Sequence, residues 1–126
     1  MLRPRHLFAY GTLQPGLAPA AIAALAARLR SAGEGRVRGV LYDLGPYPAV
    51  VLDPEGETWV FGTVLAVPDD SLLEELDRYE GPEFHRTETE ALLTSGARLR
   101  CWIYEFRGNL RGAKIVVSGK WDRPLL

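Results

Sequence analysis

Turn-forming clusters cut this chain into short segments, and that punctuation limits the fold more than any other feature. Gly45-Pro46-Tyr47-Pro48 forces a turn, because each proline fixes its own φ and biases its predecessor toward extended backbone. Asp53-Pro54-Glu55-Gly56 and Thr94-Ser95-Gly96-Ala97 are two more turns. The segments between them read as strands: Gly35 to Leu44, Ala49 to Leu52, Trp59 to Val67, and a hairpin of Phe84 to Leu93 with Leu99 to Phe106. Gly62 inside the third marks a bulge or a close backbone approach. Leu7 to Tyr10 is a strand near the start, and Ile115-Val116-Val117 is a short apolar run near the end.

Two segments carry a helical period instead. Pro19 to Arg30 puts Ile22, Leu25 and Leu29 on one face, with Pro19 in the first turn and Gly33 as the stop. Pro68-Asp69-Asp70-Ser71 supplies capping oxygens for a helix through Leu72, Leu73, Leu76 and Tyr79, which Gly81-Pro82 ends. Roughly six or seven strands and two helices, in connections compatible with antiparallel pairing, predict an α+β fold. The expected form is a small mixed β-barrel-like sheet with flanking helices, built as a single domain over residues 1–126.

Several function classes fall away on composition. The formal net charge of −1 leaves no electrostatic footprint for nucleic acid. No apolar run approaches the ~18 residues of a membrane span, and no secretory h-region follows the basic start, so no membrane partner and a soluble cytoplasmic protein are expected. Cys101 is the only cysteine and lies in an apolar strand, where it reads as a small hydrophobe or, less simply, as a nucleophile. His6 and His85 lack the paired spacing of metal ligands, so no metal and no cofactor are expected.

Two stretches carry chemistry. In Leu7-Phe8-Ala9-Tyr10-Gly11-Thr12-Leu13-Gln14-Pro15-Gly16 a strand ends in a glycine loop just before a helix. That arrangement points backbone N–H groups at one spot and suits an anion, although an ordinary turn has the same pattern. The loop has neither the Gly-Lys-Ser/Thr of a Walker A motif nor a Gly-x-Gly-x-x-Gly spacing. The second stretch is the helix after Ser71. Glu74, Glu75 and Arg78 point away from its leucine face, but Glu80 lies four after Leu76 and seven after Leu73, so its carboxylate points inward. An inward glutamate is costly unless paired or protonated, and burial raises its pKa toward the range useful for proton transfer. A buried pair with Arg86 accounts for the same residue equally well, and Asp77 is an alternative inward group nearer the edge of the face.

A resemblance joins these stretches. The chain resembles the γ-glutamylcyclotransferase-like family, in particular its small AIG2-like and γ-glutamylamine cyclotransferase branch. Nearly the whole sequence takes part, from Phe8-Ala9-Tyr10-Gly11-Thr12-Leu13 to Gly39-Val40-Leu41-Tyr42-Asp43-Leu44 with Tyr47-Pro48-Ala49. Val60-Phe61-Gly62-Thr63-Val64-Leu65, Leu76-Asp77-Arg78-Tyr79-Glu80-Gly81 followed by Arg86, Trp102-Ile103-Tyr104 and Ser118-Gly119-Lys120-Trp121 continue it in order. The resemblance implies that Tyr10, Gly11, Thr12 and Leu13, with Tyr104, bind the substrate and that Glu80 is the general acid/base. Phe84 stands where many relatives have tyrosine, and Lys120 where an acidic residue is common.

The implied reaction closes a γ-glutamyl amine or γ-glutamyl amino acid to 5-oxoproline and releases the amine, with a small-molecule γ-glutamyl compound as the expected partner. Holding the α-amine against the γ-carbonyl is worth about 7 kcal/mol or more in effective molarity. Two alternatives use the same pocket. One is an amidohydrolase in which water attacks, and the other a non-catalytic module that binds an amino-acid-like ligand.

Overall fold

Alternating burial begins with the first strand of the computed structural model, which describes residues 3–11 and 24–121. In β1 (His6–Ala9), Phe8 faces one apolar cluster while Leu7 and Ala9 face another, so the strand is buried on both sides. β2 (Arg30–Asp43) is the long strand on which the sheet is assembled. Along one edge it pairs antiparallel with β4 (Trp59–Ala66) and then, at Tyr42 and Asp43, with the short β7 (Lys114–Ile115). Its other edge takes β5 (Phe84–Leu93) at Gly35 and Arg36 and then β3 (Pro48–Leu52) at Gly39 to Asp43.

β5 forms an antiparallel hairpin with β6 (Arg98–Phe106), in register from Phe84 opposite Phe106 to Leu92 opposite Arg98. β6 meets β1 in parallel at Leu7 and Trp102, and β1 pairs antiparallel with β4. The circuit β1–β4–β2–β5–β6 therefore closes on itself as a five-strand barrel, as expected for the α+β barrel-like class. β3 lies against it and touches β6 in parallel at Val50 and Glu105, where the Glu105 carboxylate accepts from Leu52 N at 2.8 Å.

The barrel interior holds Phe8, Val37, Val60, Val64, Cys101 and Ile103, each 1% exposed or less. Outside the barrel, helix α1 (Asp70–Glu80) lays Leu72 and Leu76 against Leu7, Ala9, Leu65 and Tyr104. Each leucine removed from water there contributes about 1.5–3 kcal/mol. The helix begins where expected: the Asp69 carboxylate accepts from Leu72 N at 3.0 Å. It ends at Gly81, whose φ of 88° a side chain rarely adopts.

Two local expectations are corrected. The predicted helix over Pro19 to Arg30 lies largely outside the described residues; residues 24–26 are helical. Arg28 N and Leu29 N donate to the carbonyls three residues back, at 3.1 Å, and Arg30 already opens β2 opposite Ala66. Gly33 is therefore not a helix stop. It takes up the register shift after Ser31 at a φ of 133°, a bulge that lets the strand start five residues early. The second correction is near the C-terminus, where strand pairing reaches only Lys114 and Ile115, and Val117 is 95% exposed.

Candidate active site

The end of β1, the turn into β3, the C-terminal turn of α1 and the start of β5 enclose a cleft of about 360 Å³. Gly62 on β4 lets that strand approach β1, since a Cβ there would run into the Ala9 carbonyl and the Phe8 ring. Tyr10, Gly11, Glu80 and Tyr104 all line the cleft, so four of the six predicted site residues meet at one place. Thr12 and Leu13 lie outside the described residues. Gly11 is buried, and a Cβ on it would come within 2.8 Å of Pro48 Cγ. A proline ring cannot swing aside, so the close approach expected at Gly11 is a property of the β1–β3 contact.

Glu80 occupies the last position of α1, on the side of its buried leucines. Among the described residues no group donates a hydrogen bond to it or pairs with it. Loss of water around it raises its pKa to about 7, and the neighbouring Asp77 charge adds to the rise. The cleft wall also carries Glu83 and, among the described residues, no Lys, Arg or His. Burial pushes the Tyr10 hydroxyl well above the usual phenol range, with the Glu80 charge as the next cause.

Arg86 does not pair with Glu80. Its Nε donates to Asp77 Oδ1 at 2.8 Å and its Nη2 to Asp77 Oδ2 at 3.2 Å, a two-point contact, and its guanidinium stacks 4.4 Å from the Trp102 ring. The ion pair considered for Glu80 is therefore made by Asp77, and it is only partly buried, with the Asp77 side chain 39% exposed. The Tyr104 hydroxyl donates to the same Asp77 Oδ1 at 2.7 Å, and the Tyr104 carbonyl accepts from the Tyr10 hydroxyl at 2.5 Å. A continuous chain of contacts thus runs from Arg86 through Asp77 and Tyr104 to Tyr10.

Asp77, Arg86 and the aromatic wall were not among the predicted site residues. Phe84 sits between Tyr47 at 5.9 Å and Phe106 at 5.2 Å, ring centroid to centroid, and Tyr47 and Phe84 line the same cleft as Glu80. The signals for Asp77 in the sequence are its place at the edge of the leucine face and its place in the Leu76-Asp77-Arg78-Tyr79-Glu80-Gly81 stretch. Cys101, by contrast, is fully buried in the barrel, and burial pushes its thiol up to about 12, so the hydrophobic reading of it stands over the nucleophilic one. No group of three or more His, Cys, Asp or Glu side chains that could hold a metal ion occurs among the described residues.

A family model described as "Gamma-glutamyl cyclotransferase, AIG2-like" matches residues 7–123. In fold, the chain is similar to YkqA from Bacillus subtilis, with a TM-score of 0.75 and 24% identity over 94% of this chain. It spans only 40% of that protein's length. An AIG2-like protein from Mus musculus gives a TM-score of 0.78 at 20% identity, covering 96% of this chain and 90% of its own. A structure described as a gamma-glutamyl cyclotransferase gives 0.66 at 18% identity, covering 90% of this chain and 70% of its own. No curated protein matches the sequence.

Proposed function

Because the chain belongs to the AIG2-like γ-glutamyl cyclotransferase family, we propose that it converts a γ-glutamyl amine or γ-glutamyl amino acid to 5-oxoproline, with Glu80 as the proton-transfer group. The observation that carries this reading is a carboxyl without a partner, in a cleft, with a pKa of about 7. Near neutral pH such a group is present in both of its protonation states, as one that must first take a proton and then return it requires.

The steps follow from the substrate's own bonds. Glu80 takes a proton from the α-ammonium, and the freed amine attacks the γ-carbonyl carbon to close a five-membered ring. The protonated Glu80 then gives that proton to the γ-amide nitrogen as its bond to carbon breaks. The carboxylate so restored takes the second proton from the ring nitrogen and passes it to the departing amine, which leaves as an ammonium beside 5-oxoproline. Each unit by which the carboxyl pKa rises toward that of the amine lowers the cost of the first transfer by about 1.4 kcal/mol. A wall with two carboxylates and no cation among the described residues also suits a ligand that presents an ammonium group. The backbone N–H of Gly11, at the cleft wall, is a donor of the kind that suits the glutamyl carboxylate or the developing oxyanion.

The direct test is product analysis after incubation with a panel of γ-glutamyl amines and γ-glutamyl amino acids, in the presence of a chelator. 5-Oxoproline is expected from at least one of them with the chelator present; none from any would end this reading. Gly11→Val tests the loop. The added side chain meets Pro48 and displaces one wall of the cleft from another, so binding of the best substrate is expected to weaken at least tenfold, about 1.4 kcal/mol. Unchanged affinity by calorimetry in the folded variant would return Gly11 to an ordinary turn.

A further inference from the structure

Asp77 and Glu80 stand three apart on α1, so their carboxyl groups leave the same face one turn from each other. They are treated very differently. Both oxygens of Asp77 are engaged: Oδ1 accepts from Arg86 Nε and from the Tyr104 hydroxyl, and Oδ2 accepts from Arg86 Nη2. Arg86 is fixed from its other side by the Trp102 ring. Glu80 has no such partner among the described residues, while the Arg86 guanidinium is held by its helix neighbour.

We propose that Asp77 is a positioning residue for Glu80, holding Arg86 and the Tyr104 hydroxyl so that the Glu80 carboxyl faces the cleft unpaired. This inference rests on the reading of Glu80 as the proton-transfer group. A guanidinium released from Asp77 has one other carboxylate within the same turn of helix to turn to, and a Glu80–Arg86 pair would hold that carboxyl ionised and withdraw it from the substrate. Asp77 thereby acts twice: it occupies the cation, and its own charge disfavours the ionised form of Glu80. The other titratable or charged groups around Glu80 are Tyr10 at the end of β1, Tyr47 before β3, Tyr79 beside it, Glu83 before β5 and Tyr104 on β6. None of these side chains can carry a positive charge, and Arg86 is the cation that Asp77 holds on the face it shares with Glu80.

Two substitutions have opposite expected signs. Asp77→Asn removes an anion and frees Arg86, so the Glu80 titration midpoint is expected to fall by about one unit or more. Arg86→Gln leaves Asp77 charged and unneutralised, so the midpoint is expected to rise. The readout is the ¹³C chemical shift of the Glu80 side-chain carboxyl against pH, measured in the intact protein and in each folded variant. The acid limb of the pH profile for 5-oxoproline formation is expected to move in the same two directions. A midpoint that stays put in either folded variant, or that moves the same way in both, overturns the proposal; so does loss of the fold in both, which would make the cluster structural. Where only one variant folds, its sign alone decides. The carboxyl is observed directly, so a protein that makes no 5-oxoproline overturns the proposed function while the midpoints still decide the role of Asp77.

Discussion

Glu80→Gln is expected to reduce 5-oxoproline formation by about 10³-fold or more and, in the same protein, to raise the melting temperature at pH 8. The first effect follows from the loss of both proton transfers by a substitution that keeps shape and hydrogen bonding; such transfers contribute about 10²–10⁴-fold each. The second follows from linkage. The folded-state pKa of about 7 lies above the ordinary 4.5, so the native protein holds the proton more tightly than the unfolded chain does. Below pH 4.5 both states are protonated and Glu80 costs the fold nothing in this respect. As pH rises through 7 this partly buried group must ionise, and that contribution is lost, by no more than about 3–4 kcal/mol and by less where the cleft admits water. Glutamine never ionises. The gap in melting temperature between variant and parent is therefore expected to open between pH 4.5 and 7 and to stay constant above that range. A folded Glu80→Gln protein with near-full activity would make Glu80 structural. An inactive variant with no pH-dependent gap would place the cause of inactivity somewhere other than an ionisable buried carboxyl.

The same carboxyl shows which parts of the molecule were legible before any coordinates. Patterns that repeat within one segment could be read, because side-chain direction follows from spacing: Leu72, Leu73 and Leu76 define the buried face of α1, and Glu80 falls on it. Local punctuation was equally legible in the hairpin around Thr94 to Ala97 and in the Asp69 cap. What the chain concealed lies between segments. The parallel meetings of β6 with β1 and β3 rest on single register pairs between residues far apart in sequence, and nothing local announces them. The partner of Arg86 was concealed for the same reason. Asp77 and Glu80 are both within reach along the sequence, and only the path of β5 past α1, with Trp102 behind it, decides for Asp77. Gly33 misled because a glycine after a helical period reads as a stop, while the same residue serves a bulge when a strand such as β4 lies alongside.

Cyclisation and hydrolysis are separated by a substrate rather than by a variant. If the α-amine is the nucleophile, a γ-glutamyl compound acetylated on that amine is expected to be inert, with turnover below detection, while the parent compound is consumed. Acetylation delocalises the lone pair needed for attack and leaves the γ-amide bond essentially unchanged. A hydrolase sharing this cleft needs no α-amine; it would release glutamate, with one solvent oxygen in the new γ-carboxylate, and would cleave the acetylated analogue wherever the cleft admits it. Competition with the parent compound shows whether the analogue enters. In ¹⁸O-water the expected product of the parent is unlabelled 5-oxoproline, because ring closure expels an amine and takes up no water. Mass spectrometry distinguishes the two from the first turnovers, before any slow ring opening adds label. Labelled glutamate as the initial product would make the enzyme an amidohydrolase, with Glu80 activating water in place of the substrate's own amine. The Tyr47 and Phe84 rings, which line the cleft with Glu80, favour the other outcome, since apolar surface on the cleft wall offers an attacking water no hydrogen-bond partner.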